Sequence, residues 1–182
     1  MIFRQILKPK SVVIRYNDKP KPFMSWNNDM CLDVVIELEK KDGSTYDNTF
    51  TISGNFDKNN PDNKWGSAFK IERFFQVCGV NTKAINDDMT IPDSWLDQAI
   101  GKPFSYIRYP STRTKDDGTN YWNEFDLVMH PDKGDAAHKA EFMKQVNKGW
   151  IKDYNGDQQS NGQVKPEVKV EPQVEVTDDI DF

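Results

Sequence analysis

The stretch that most constrains the fold is the run from Cys31 to Ser53. Between Cys31 and Glu39 apolar and polar residues alternate, with Leu32, Val34, Ile36 and Leu38 on one side and Asp33, Val35, Glu37 and Glu39 on the other. A period of two sends successive side chains to opposite faces, so this is a half-buried strand rather than a helix. Asp42-Gly43 supplies a tight turn, because glycine tolerates the positive φ that such turns need. The return run 46–53 puts Phe50 and Ile52 inward and Thr49, Thr51 and Ser53 outward. A hairpin with one apolar face follows, and the rest of the chain must cover that face.

Before the hairpin, residues 11–16 are β-rich and a short strand is expected over 2–7. Residues 17–29 hold two prolines and form a loop carrying Lys19, Lys21, Phe23 and Trp26. After it, Ala68, Ile71, Phe75 and Cys78, flanked by Phe74, recur at helical spacing over 66–78, and Gly79 ends the run. A second short helix is expected over 92–100, with Pro92 at its start and Trp95, Leu96 and Ala99 packing. Two strands follow, 104–109 and 121–129, the latter with Phe125, Leu127 and Met129 toward the core. The loop 110–120 between them holds Arg113 and Lys115. Residues 136–147 read as a surface helix.

Charge has to be split before it means anything. From Gly156 onward seven acids face two lysines, a balance of −5 that equals the net charge of the whole chain, so residues 1–155 hold 22 charges of each sign. That terminal segment has no aromatic residue before Phe182 and is expected to be disordered, since it buries too little apolar area to offset its ordering entropy. The organisation expected is a domain over 1–130, a helical extension over 131–154 and an acidic tail over 155–182. No run of about 18 apolar residues occurs and the first ten residues lack the pattern of a secretory signal, so a soluble cytoplasmic protein with free Cys31 and Cys78 is expected.

Strands, hairpin, helix, then two strands joined by a long loop is the order of a mainly β fold with helices: an OB-fold-like five-stranded Greek-key barrel with a helix between strands three and four. Such barrels bind ligands across strands two and three, flanked by the loops after strands one and four. Here those loops carry Lys19, Lys21, Phe23 and Trp26, and Arg113 and Lys115. With Ile107 facing the core, Tyr106 and Arg108 point outward together, and Trp122 joins them from the partner strand. Single-strand binding needs cations for phosphates and rings for bases, so Arg15, Lys19, Lys21, Arg108, Arg113 and Lys115 with Phe23, Trp26, Tyr106 and Trp122 form the candidate nucleic-acid platform.

The last six residues, Thr177, Asp178, Asp179, Ile180, Asp181 and Phe182, have neither helical nor strand period. They resemble the acidic, Phe-terminated tip of bacterial and phage single-stranded DNA-binding proteins, departing from it in having Asp181 where proline is common. The resemblance implies that Asp178 to Phe182 recruit replication and recombination proteins, that the body coats single-stranded DNA without catalysis or cofactor, and that a homo-oligomer is possible.

Two rival readings stay open. Asp33, Glu37 and Asp126 are carboxylates suited to holding magnesium for a phosphodiester reaction, and they would also repel phosphate from the expected face. A protein-interaction adaptor without DNA binding would need only the tail. Zinc finds no ligand spacing in Cys31, Cys78, His130 and His138, and Cys78 suits a core better than a nucleophile.

Overall fold

The computed structural model describes residues 1–16, 29–57, 59–85 and 89–156. Six strands and three helices follow in the order β1 (Phe3–Leu7), β2 (Pro9–Tyr16), β3 (Met30–Glu39), β4 (Thr45–Gly54), α1 (Phe69–Val77), α2 (Asp93–Ala99), β5 (Phe104–Thr114), β6 (Asn120–Met129) and α3 (Asp135–Asn147). They form two antiparallel three-stranded sheets, β2-β3-β4 and β1-β5-β6. The expected hairpin is β3–β4, in the register Val34 opposite Phe50 and Leu32 opposite Ile52. Leu32, Val34, Ile36 and Ile52 have no exposed surface, as the alternation requires.

The mainly β fold with helices is as expected, but the described strands number six in two three-stranded sheets rather than five in one Greek-key barrel. Strands β1 and β2 are separated only by Lys8, yet each joins a different sheet. Pro9 sits at the break, where it has no N–H to continue a ladder, and the register shifts between Pro9 and Ser11. Strands β4 and β6 approach without a ladder between them, and α1 packs against both. Gly54 makes that packing possible: a Cβ there would sit 2.5 Å from Ala68 Cα.

The sheets face each other across the main core, which joins Val34, Ile36, Phe50 and Ile52 to Phe104, Tyr106, Ile71, Phe74 and Phe75. The second helix adds Trp95, whose ring lies 5.4 Å from that of Phe75. Rings in such pairs contribute about 0.5–1.5 kcal/mol beyond their buried area.

Helix α3 corrects the expectation of a surface helix. His138 and Phe142, one turn apart, are fully buried against the far side of sheet β1-β5-β6, with Ile107, Tyr109 and Phe125 in a second core. Phe142 lies 4.9 Å from the Tyr109 ring and 5.3 Å from that of Phe125. A buried polar chain locks the helix down. Arg4 Nε donates to Ser105 Oγ (2.5 Å), Ser105 Oγ bonds His138 Nδ1 (2.7 Å), and His138 Nε2 reaches Leu127 O (3.1 Å). With Arg4 donating, the serine proton goes to Nδ1 and the ring is a neutral Nε2–H tautomer that donates to the carbonyl. Beyond α3 the chain runs back along β5, with Thr112 N donating to Asp153 O (2.6 Å) and Asn155 N to Pro110 O (2.9 Å).

Among the described residues no helix is long and apolar enough to cross a membrane.

Candidate nucleic-acid interface

Strands β5 and β6 continue beyond the main core as a long hairpin. Its turn is 115–119, where Lys115 N donates to Thr119 O (2.7 Å) and Gly118 takes a φ of 78° that favours glycine. Arg113 therefore lies on a strand, not in the loop expected over 110–120, and Lys115 starts the turn.

Burial on both faces of β5 explains where the platform expectation fails. Phe104 to Ile107 are all fully buried. Tyr106 shares a face with Arg108 and Trp122, as alternation demands, but that face is the one turned toward the opposite sheet. Tyr106 packs 4.9 Å from the Phe50 ring and belongs to the core, while Ile107 faces α3. No outward platform includes Tyr106.

Arg108 and Trp122 lie at the open end of the same face. The Arg108 guanidinium sits 6.0 Å from the Trp122 ring centroid, and Phe3 of β1 packs on that ring at 5.2 Å. Phe3 and Trp122 are 45% and 37% exposed, so much of both rings is open to a ligand. On the other face of the hairpin, Arg113 and Lys115 lie 5.6 and 5.8 Å from the Tyr121 centroid. Across the opening, Lys40 lies 5.8 Å from Tyr46 at the start of β4. A groove of about 550 Å³ separates the sheets here, lined by Gln5, Leu7, Glu37, Glu39, Tyr46 and Arg108 among others. Strand alternation alone gave no reason to single out Phe3, Lys40, Tyr46 or Tyr121; their signal is an exposed ring brought beside a cation by strand pairing.

Three polar atoms at the inner end of this groove are buried with no hydrogen-bond partner among the described residues: Asn48 Nδ2, Tyr106 OH and Arg108 Nε. Burial raises the Tyr106 hydroxyl far above the ordinary phenol value, and the neighbouring Glu124 adds to it. Arg108 Nε is 3.7 Å from a Glu124 oxygen, close enough to share charge without a formed hydrogen bond.

Of the carboxylates that argue against phosphate binding, all but Glu39 in the groove wall are matched by cations among the described residues. Arg15 Nε is 3.0 Å from Asp33, Lys10 Nζ is 2.9 Å from Asp47 and 4.0 Å from Glu37, and Lys70 Nζ is 2.5 Å from Asp126. Arg15 is thus on the outer face of β2, engaged with Asp33 and remote from the hairpin rings along the ladder. Asp33, Glu37 and Asp126 are not brought together. Among the described residues no group of three or more His, Cys, Asp or Glu side chains is gathered for a metal ion. Cys78 is buried in the main core, which pushes its thiol up to about 12. Lys19, Lys21, Phe23 and Trp26 lie outside the described residues, as do Asp178, Asp179, Ile180, Asp181 and Phe182.

Comparison of the chain with known protein families, with curated proteins and with solved structures returns no match.

Proposed function

We propose that this protein binds single-stranded DNA stoichiometrically, as a non-enzymatic coat, with the groove between its two sheets as the binding surface. The observation that carries the reading is the pair of exposed rings at the groove, each beside a cation, Trp122 with Arg108 and Tyr46 with Lys40; Tyr121 with Arg113 and Lys115 repeats the arrangement on the other face of the hairpin. Bases stack on rings at roughly 1–3 kcal/mol each while cations follow the phosphates. The chain order supports an OB-like reading, in which β1 and β2 act as one bent strand serving both sheets and α1 stands between the third and fourth strands of the barrel. Such a protein works in the cytoplasm.

The acidic segment Asp178 to Phe182 then recruits replication or recombination proteins. Its attachment favours a second role: the described chain leaves the body beside Pro110, which pairs with Trp122 across the ladder. In that role the acidic segment competes with DNA for the cations of the groove.

Fluorescence anisotropy with labelled oligo-dT at two salt concentrations tests the reading. Binding that weakens steeply with salt, needs no metal, leaves the oligonucleotide uncut and prefers single over double strands supports it. Absence of binding sinks it, and metal-dependent cleavage would make the protein an enzyme. Deleting 177–182 leaves DNA affinity equal or higher and abolishes partner recruitment; a clear loss of DNA affinity contradicts the return of the acidic segment to the groove.

A further inference from the structure

A second surface of the same chemistry lies away from the groove. Two adjoining hollows of about 290 and 410 Å³ share Phe69, Leu127, Gln145 and Trp150 in their walls. Helix α1 forms one side and the end of α3 the other, with β6 as the floor. Phe69 and Trp150 are 44% and 67% exposed, and neither stacks on another ring among the described residues. Arg73 lies one helical turn beyond Phe69, and Lys144 and Lys148 are likewise one turn apart, so each wall presents its ring beside a cation. The Lys148 ammonium sits 4.7 Å from the Trp150 centroid.

The larger hollow holds Arg73, Lys144 and Lys148 against the one carboxylate of Glu141, which is 3.4 Å from Lys144. Lysines in the last turn of a helix also offset its dipole, which accounts for Lys144 and Lys148. It does not account for Arg73, or for two large rings left in water. An apolar peptide would use the rings and leave the cations unanswered. A polyanion carrying flat bases uses both.

Strand β6 links this slot to the groove. Trp122 and Glu124 share one face of it, about 7 Å apart at 3.3 Å per residue, and Glu124 lines the smaller hollow. Of the three carboxylates in the smaller hollow, Glu124 faces Arg108, Asp126 pairs with Lys70, and Asp153 accepts hydrogen bonds from Tyr109, Ser111 and Asn123. We propose that the slot between α1 and α3 is a second binding site for single-stranded nucleic acid, continuous with the groove, so that a long strand engages both while a short one occupies the groove alone. This rests on the single-strand reading above.

The test is anisotropy with dT5 and dT20 on the full chain, for wild type, Trp122→Ala and the double variant Trp150→Ala with Lys148→Ala. The double variant changes only exposed side chains, and Arg73→Gln supplies an independent variant on the other wall. The expected result is a 5- to 150-fold loss for dT20 in the double variant, as removal of one stacked base predicts (~1–3 kcal/mol), with dT5 unchanged, and a smaller loss for dT20 in Arg73→Gln. Trp122→Ala should weaken both lengths. If wild type binds both oligonucleotides and the slot variants bind dT20 as wild type does, the slot is refuted and the groove stands. If wild type binds neither, both fall. A free peptide of residues 173–182 that protects Trp150 from hydroxyl-radical oxidation, where dT20 does not, assigns the slot to the acidic segment and overturns the proposal.

Discussion

Replacing Trp122 with alanine probes the groove at the ring that both Phe3 and Arg108 flank. The ring is held by Phe3 at 5.2 Å and by the Arg108 guanidinium at 6.0 Å, with 37% of its surface open. Removing it takes away one stacking platform, about 1–3 kcal/mol per base, and frees Arg108 from a surface that orients it, about a further 0.5–1 kcal/mol. At 1.4 kcal/mol per tenfold, the affinity for oligo-dT should fall about tenfold to several-hundredfold. The fold loses one ring pair, about 0.5–1.5 kcal/mol, and the apolar area that Trp122 covers outside the main core, so stability is measured beside affinity. Anisotropy gives the affinity and a urea melt of the same sample gives the stability. Affinity within twofold of wild type, with the fold intact, would refute the groove as the place where bases stack.

Three further outcomes follow from the interior. Tyr106→Phe removes a buried hydroxyl that lies beside Asn48 and Glu124 without a well-formed hydrogen bond, so the variant should stay within about 1 kcal/mol of wild type by chemical denaturation, with DNA affinity unchanged. The His138 ring is held below its ordinary value by burial and by the Arg4 cation, against the opposing pull of its Leu127 hydrogen bond and of Asp135 and Glu141. The unfolded chain then takes up this proton first, so stability is full above about pH 6.5 and falls as the pH drops below it; urea midpoints across that window should show the slope, and His138→Gln should flatten it. Gly54→Ala drives a methyl group into the backbone at Ala68 and should cost about 1–3 kcal/mol by chemical denaturation, whereas Gly43→Ala, with open space at its Cβ, meets only its φ of 81°.

The hairpin was legible in the sequence because only one of its faces is buried. Leu32 to Leu38 alternate against Asp33 to Glu39, and Asp42-Gly43 closes the turn, so strand and register are both written there. Strand β5 is buried on both faces, and period two then says which residues share a side but not which side meets which core. Tyr106, Arg108 and Trp122 share one face, which turns toward the opposite sheet and buries Tyr106 while leaving Trp122 partly open. The hidden partner was α3, whose buried face is little more than His138 and Phe142, one turn apart among alanines, lysines and glutamates. The acidic outer face was legible too, but its neutralisation was not, because Arg15 meets Asp33 and Lys10 meets Asp47 only through strand pairing. The same holds for the rings beside cations. Lys40 and Tyr46 flank one turn and could be read as neighbours, whereas Phe3 of β1 reaches Trp122 of β6 across β5, which lies between them in the sheet.

Ultraviolet cross-linking of oligo-dT to the protein, mapped by peptide mass spectrometry, tests the groove most directly. The account predicts adducts on peptides containing Phe3, Tyr46, Tyr121 and Trp122, lost at high salt. Adducts confined to the outer face of β2-β3-β4, or none at a concentration that saturates binding, would contradict it.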